Sequence, residues 1–280
     1  MNITVIGAGT MGHGIAQVAA LAGHETILYD VQEAPLDHGL TRIRANLDKG
    51  VDRGKVTPEQ RESALAALSA TTVLDDAAGA ADFIIEAAPE RMDLKKRLVQ
   101  EACAAAPDHA IFATNTSSLS LTEIAAAAPH PAQVVGMHFF NPVHIMKLLE
   151  LVRAEQTTDA TLDAARELGA SLGKDVIVVN DSAGFATSRL GLVIGLEAIR
   201  MLEQGVASAE DIDKAMELGY RHPMGPLRLT DLVGLDVRLA IAEYLHAEIG
   251  EQFRPPQLLR KMVRAGRLGK KSGRGFYDWS

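Results

Sequence analysis

The sequence predicts an α/β chain, with a dinucleotide-binding domain over residues 1–182 and an all-α C-terminal domain over residues 183–280. Three observations predict it. A short β-rich run leads into Gly7-Ala8-Gly9-Thr10-Met11-Gly12 and then into Ile15, Val18, Ala19 and Ala22 at helical spacing. Further β-rich runs alternate with helical stretches, the pattern of parallel strands joined by crossover helices. From about Ala183 the pattern changes to long apolar helices.

The elements of the first domain follow in order. Asn2-Ile3-Thr4-Val5-Ile6 is the first strand. Gly7 permits the tight turn, Gly9 lets the backbone approach a pyrophosphate, and Gly12 lets helix pack closely on strand. Thr10 and Met11 stand at the helix start, where free N–H groups face an anion. Thr26-Ile27-Leu28-Tyr29-Asp30 is a second strand, ending in an acid placed to bind ribose hydroxyls. A glycine pattern alone says little. Strand, turn, helix, strand and acid in this order define a Rossmann-type fold. Asp30 repels a 2′-phosphate and no arginine follows it directly, so the expected cofactor is NAD over NADP.

Residues 34–68 read as two helices broken near Gly50-Val51-Asp52-Arg53-Gly54-Lys55. Thr57 caps the second and Pro58 takes its first position. Lys49, Arg53 and Lys55 cluster at the tip of this hairpin. They form either a solvated charged turn or a basic clamp for the phosphates of a substrate carrier. Asp82-Phe83-Ile84-Ile85-Glu86-Ala87 is a buried strand, and a basic helix follows from Met92. Glu90 would lie at the carboxyl edge of the sheet, with Lys95 about a turn further on; both are cofactor-edge residues or plain surface charge. Ala110-Ile111-Phe112-Ala113-Thr114 leads to Asn115-Thr116-Ser117-Ser118, four side chains able to hydrogen-bond a polar ligand or to cap the next helix.

The richest stretch is His138-Phe139-Phe140-Asn141-Pro142-Val143-His144-Ile145-Met146-Lys147-Leu148-Leu149-Glu150. Two strands joined through the Asn-Pro turn would bring Glu150 back beside His138. A buried acid needs a partner, and a carboxylate that orients a histidine makes it a working general base or acid. Beside a nucleotide fold, this pair suggests proton transfer coupled to hydride transfer.

Residues 175–179 form a last strand. Beyond it Leu190, Val193, Ile194, Glu197, Ala198, Met201 and Leu202 recur at helical spacing, a face that packs within the chain or pairs with a second copy. The single cysteine, Cys103, excludes an intrachain disulfide and reads as a small core residue. The formal net charge of −8 argues against nucleic acid or an acidic membrane surface as partner. No apolar run is long enough to span a bilayer and no leader pattern is visible, so a cytoplasmic protein is expected. No histidine, cysteine or acid cluster has metal-ligand spacing, so no metal is expected.

Taken together, these motifs resemble the L-3-hydroxyacyl-CoA dehydrogenase family, closest to its bacterial 3-hydroxybutyryl-CoA branch. The matching pieces are Gly7-Ala8-Gly9-Thr10-Met11-Gly12, Glu86-Ala87-Ala88-Pro89-Glu90, Asn115-Thr116-Ser117-Ser118-Leu119, His138-Phe139-Phe140-Asn141-Pro142-Val143 and Met146-Lys147-Leu148-Leu149-Glu150. His222-Pro223-Met224-Gly225-Pro226 and Gly273-Arg274-Gly275-Phe276-Tyr277 follow, so the resemblance runs the length of the chain. It implies NAD-dependent, reversible oxidation of a short L-3-hydroxyacyl-CoA and a homodimer formed through the helical domain. It also implies roles: His138 as catalytic base, Glu150 as its orienting acid, Ser117 on the substrate oxygen and Asn141 in the active site. Glu90, Lys95 and Asn115 join the cofactor site, and Lys49 and Arg53 meet CoA phosphates. One departure stands out. Ser188 occupies, before Arg189-Leu190, a position where the family usually has an asparagine; a serine there can still donate a hydrogen bond, with shorter reach. Two other readings stay open: a related dehydrogenase of a free hydroxy acid, of sugar-acid or carnitine type, and a non-enzymatic NAD-binding protein.

Overall fold

One eight-stranded sheet organises the first 181 residues. The computed structural model describes residues 1–279, which divide into two units, residues 1–181 and the chain from Ser182 onward. The strands are β1 (Asn2–Ile6), β2 (Glu25–Tyr29), β3 (Leu68–Thr71), β4 (Phe83–Glu86), β5 (Ile111–Thr114), β6 (Val134–Phe139), β7 (Leu148–Arg153) and β8 (Asp175–Asn180). Their order in space is β3-β2-β1-β4-β5-β6-β7-β8. Every pairing is parallel except β6 with β7. Strand order reverses between β1 and β4, and such a switch point opens a crevice at the carboxyl ends of the strands.

The helices of this unit are α1 (Gly12–Leu21), α2 (Glu33–Asp52), α3 (Pro58–Ala66), α4 (Leu74–Ala78), α5 (Met92–Ala105), α6 (Leu121–Ala125) and α7 (Asp159–Ser171). α1 packs with α2 and α3, whereas α5 packs with α4 and α6. Strands covered on both faces read as continuous apolar runs, and β4 and β5 are buried at every residue. The helical hairpin starts its second arm as expected. Thr57 accepts from Gln60 N, Gln60 reaches back to Thr57 N, and Pro58 holds the first position. The reading of helix to residue 68 needs correction, because residues 68–71 form β3, paired with β2. Its Leu-Ser-Ala-Thr sequence carries little β signal, and its pairing with β2 supplies the conformation.

The second unit contains α8 (Thr187–Glu203), α9 (Ala209–Tyr220), α10 (Pro226–Val233), α11 (Leu235–Glu248) and α12 (Gln257–Arg264). Leu192, Leu196 and Ile199 of α8 join Leu235, Leu245 and Leu259 in its core. The stripe read from the sequence divides: Ala198 is buried, while Leu190 is 62% and Ile194 37% exposed. The glycine-rich end is ordered. Buried Asp231 accepts from Phe276 N, Tyr277 N and Trp279 Nε1, each at 2.8–2.9 Å. Gly275 is required there, since a Cβ would lie 2.0 Å from Asp231 Oδ1. The chain is thus an α/β Rossmann-type domain followed by a helical one. No helix among the described residues is long and apolar enough to cross a membrane.

Candidate active site

The glycine loop joins β1 to α1 at the sheet's switch point. Gly7 has φ +97°, and a Cβ there would press 2.9 Å from Ala87 O, so the turn needs glycine. A Cβ on Gly12 would stand 1.6 Å from Gly7 O. One on Gly9 would meet no protein atom within 4 Å, as expected on the side where a pyrophosphate approaches. Asp30, at the end of β2, accepts from Ala8 N at 3.0 Å and Gln32 N at 3.2 Å, which fixes its carboxylate at the rim of the loop. Gly7, Gly9, Thr10, Met11 and Asp30 line a cavity of about 490 Å³ whose other wall is Ala87, Ala88 and Pro89. Its size and apolar walls suit a nucleotide.

A polar network borders that wall. Glu86 ends β4 fully buried and accepts from Lys95 Nζ at 2.8 and 3.0 Å, from Thr114 Oγ1 at 2.6 Å and from Ala88 N at 2.6 Å. Buried ions persist when paired and fully hydrogen-bonded. Lys95 also reaches Glu90 Oε2 at 3.4 Å. The other oxygen of Glu90 accepts from Thr116 Oγ1 at 2.7 Å, Ser117 N at 2.9 Å and Ser117 Oγ at 3.2 Å. Lys95 is therefore a buried strut under the Ser117 loop, not a surface charge.

The histidine lies at the end of β6. Antiparallel pairing places His138 opposite Glu150 on β7, and His138 Nδ1 meets Glu150 Oε2 at 2.7 Å. Both residues are buried. The Phe140 ring lies 4.5 Å from the imidazole, centre to centre. Asn115 Oδ1 accepts from Phe139 N at 2.8 Å, tying the loop after β5 to the histidine strand. Between the two strands, Asn141 and Pro142 join by a cis peptide and are exposed, while Val143 is buried against Gly14 of α1. Lys174 Nζ donates to Val143 O and, at 2.9 Å, to Met146 O, closing this connection. Burial holds the Lys174 ammonium below its usual pKa. His144 is likewise lowered, by burial first and then by the charges of His13 and Lys174.

Comparison with known proteins places the chain in a family. The family model described as 3-hydroxyacyl-CoA dehydrogenase, NAD binding domain, matches residues 2–182, and the one for the C-terminal domain matches residues 184–279. The chain belongs to the 3-hydroxyacyl-CoA dehydrogenase family. It is 46% identical over 279 residues to the 3-hydroxybutyryl-CoA dehydrogenase of Bradyrhizobium diazoefficiens, covering 99% of this chain and 95% of that one. A probable 3-hydroxybutyryl-CoA dehydrogenase of Bacillus subtilis is 45% identical, with 99% and 97% covered. The crystal structure of the (S)-3-hydroxybutyryl-CoA dehydrogenase of Ralstonia eutropha superposes with a TM-score of 0.96 at 41% identity, covering 100% and 99%. This family member is accordingly an NAD-dependent oxidoreductase.

Within this dehydrogenase the structure brings some of the residues singled out from the sequence together and leaves others apart. His138 and Glu150 touch, Ser117 touches Glu90, and Lys95 touches Glu90. The glycine loop meets Asp30 through Ala8 N. Lys49 and Arg53 stand exposed at the hairpin tip, at the end of α2. Ser188 lies in the first turn of α8, in the second unit. Glu86 and Lys174 were not singled out as site residues. An acid closing an otherwise apolar strand was the available signal for Glu86. Lys174 follows Leu172-Gly173 in an ordinary helix ending and carried none.

Proposed function

We propose that this dehydrogenase oxidises short L-3-hydroxyacyl-CoA thioesters, foremost 3-hydroxybutyryl-CoA, to 3-ketoacyl-CoA, reversibly, with His138 and Glu150 as its proton-transfer pair. The observation that carries the reading is the buried 2.7 Å hydrogen bond between His138 Nδ1 and Glu150 Oε2. The substrate named for the Bradyrhizobium and Bacillus relatives supports the choice of thioester.

A carboxylate accepts only, so Nδ1 carries the proton and the Nε2 lone pair is the base. His138 takes the substrate hydroxyl proton at Nε2 and returns it to the ketone in the reverse direction. NAD, held by the glycine loop and Asp30, would supply the hydride acceptor for the C3–H bond. Glu150 fixes the tautomer and stabilises the imidazolium. Ser117 and Ser188 donate to the oxygen as charge develops on it, and Asn141 joins them at the site. Gly7, Gly9, Thr10, Met11, Gly12 and Asp30 hold the adenine-side half of the cofactor, and Glu90, Lys95 and Asn115 border the rest. Lys49 and Arg53 meet the CoA phosphates, a role that their exposure at the hairpin tip supports.

We assign a homodimer through the helical unit. Exposed apolar side chains on α8 and α9, Leu190, Leu218 and Tyr220, at 62, 72 and 76%, support this reading. A cytoplasmic site of action fits an enzyme drawing on NAD and CoA thioesters. The reading is tested by His138→Gln. NADH binding should persist while turnover falls by roughly 10²–10⁴, the range for a lost general acid or base. Undiminished turnover contradicts it.

A further inference from the structure

Glu86 stands where two supports of the site begin. It ends β4, opposite Thr114 at the end of β5, and has no exposed surface. Its backbone carbonyl accepts from Asn115 N at 2.7 Å. Asn115 Oδ1 in turn accepts from Phe139 N, one residue beyond His138. The carboxylate begins the second support. Lys95 Nζ donates to both of its oxygens and reaches Glu90 Oε2 at 3.4 Å, and Glu90 Oε1 accepts from Ser117 N and Ser117 Oγ. One support ends beside the histidine, the other on the serine assigned to the substrate oxygen.

Stability alone is a poor reason for this arrangement. A buried ion pair loses the hydration of both charges, and apolar side chains of similar volume often hold a fold as well or better. Lysine is among the residues least often buried, yet Lys95 is 1% exposed. An ion pair supplies direction, which an apolar contact does not. The direction here leads to the loop after β5. Glu90 Oε1 accepts from Thr116 Oγ1 at 2.7 Å, Ser117 N at 2.9 Å, Ser117 Oγ at 3.2 Å and Ser118 Oγ at 3.5 Å. The Ser117 hydroxyl is held more loosely than Thr116 or the Ser117 backbone. It can turn to a second acceptor while those two bonds keep the loop in place. A fixed backbone carrying a releasable hydroxyl suits a donor to charge that develops on a substrate oxygen.

We propose that Glu86 is a positioning residue for the reaction: through Lys95 and Glu90 its carboxylate sets where the Ser117 hydroxyl stands relative to His138. The proposal rests on the function above, through the role given there to Ser117. Glu86 meets the reacting atoms only through other residues, and small displacements of a donor from its productive place are costly in rate.

The test measures acetoacetyl-CoA reduction in the full-length parent, Glu86→Gln, Ser117→Ala and the double variant, with melting temperature as the check of folding. Glu86→Gln keeps the shape and withdraws the charge that fixes Lys95. Its kcat should fall by about 10–100-fold, the worth of one hydrogen bond to a charged group, while KM for the thioester stays within about threefold. Ser117→Ala should lose a similar amount, and the two changes together should cost little more than either alone. Losses that multiply in full give Glu86 a merely structural role and overturn the proposal, as does an unchanged kcat in Glu86→Gln. Should that variant fail to fold, Thr114→Val removes one donor from the Glu86 carboxylate and reads the same support. Its kcat should fall by about threefold or more, with no such fall in the Ser117→Ala background; an unchanged kcat, or a loss that persists in that background, overturns the proposal. A slow Ser117→Ala beside a fast Glu86→Gln defeats this proposal and leaves the proposed function standing. A Ser117→Ala as fast as the parent strikes Ser117 from the proposed function and takes this proposal with it.

Discussion

Replacing Glu150 by glutamine removes one charge from a buried pair and keeps the shape. The hydrogen bond it alters is 2.7 Å long, and Glu150 has no exposed surface. Proton abstraction turns the neighbouring imidazole into a cation, with charge centres on the order of 4 Å apart. At an effective dielectric near 20 their attraction is about 4 kcal/mol. The glutamine amide oxygen can still accept from Nδ1, which retains the orientation and a fraction of the stabilisation. A net loss of roughly 3–4 kcal/mol corresponds to about 10²–10³ in kcat, at about 1.4 kcal/mol per decade. An amide that instead turns its NH₂ towards the ring selects the opposite tautomer and deepens the loss. The assay is acetoacetyl-CoA reduction followed by NADH absorbance, with NADH affinity measured separately by fluorescence. Turnover should collapse while NADH affinity stays within about twofold. A kcat reduced by less than about tenfold would refute the assignment of imidazolium stabilisation to Glu150.

Two further substitutions probe the surrounding structure. Asp30→Arg should shift preference from NAD towards NADP, since it replaces the acid at the loop rim by a cation suited to a 2′-phosphate; an unchanged NAD/NADP ratio of kcat/KM removes Asp30 as the ribose ligand. Lys95→Met leaves Glu86 buried without its ammonium partner and should destabilise the fold by about 3–5 kcal/mol in chemical denaturation. A stability equal to that of the parent means that Thr114 and Ala88 N suffice to hold the Glu86 charge.

The parts legible in the sequence were those decided by local chemistry. Gly7, Gly12 and Asp30 lie within a single βαβ unit, where spacing and backbone demands determine the conformation. His138 and Glu150 were legible as a pair because a hairpin-like return brings its two arms into register, and strand pairing sets them opposite each other. Longer-range features were not. Strand β3 carries weak β propensity and acquires its conformation from β2. Helix α8 is apolar around much of its circumference, so periodicity could not single out Leu192, Leu196 and Ile199 as the face turned to the core. Glu86 and Lys95 meet only because α5 packs back over β4, and the anchoring of the C-terminal end on Asp231 joins segments far apart in the chain.

The central claim is oxidation and reduction at the β-carbon of a CoA thioester. The most direct measurement is NADH oxidation with acetoacetyl-CoA beside the same assay with free acetoacetate. Rapid turnover of the thioester with little or none of the free acid is the predicted result. Comparable turnover of free acetoacetate, or NADH binding with no turnover of acetoacetyl-CoA, would contradict the account.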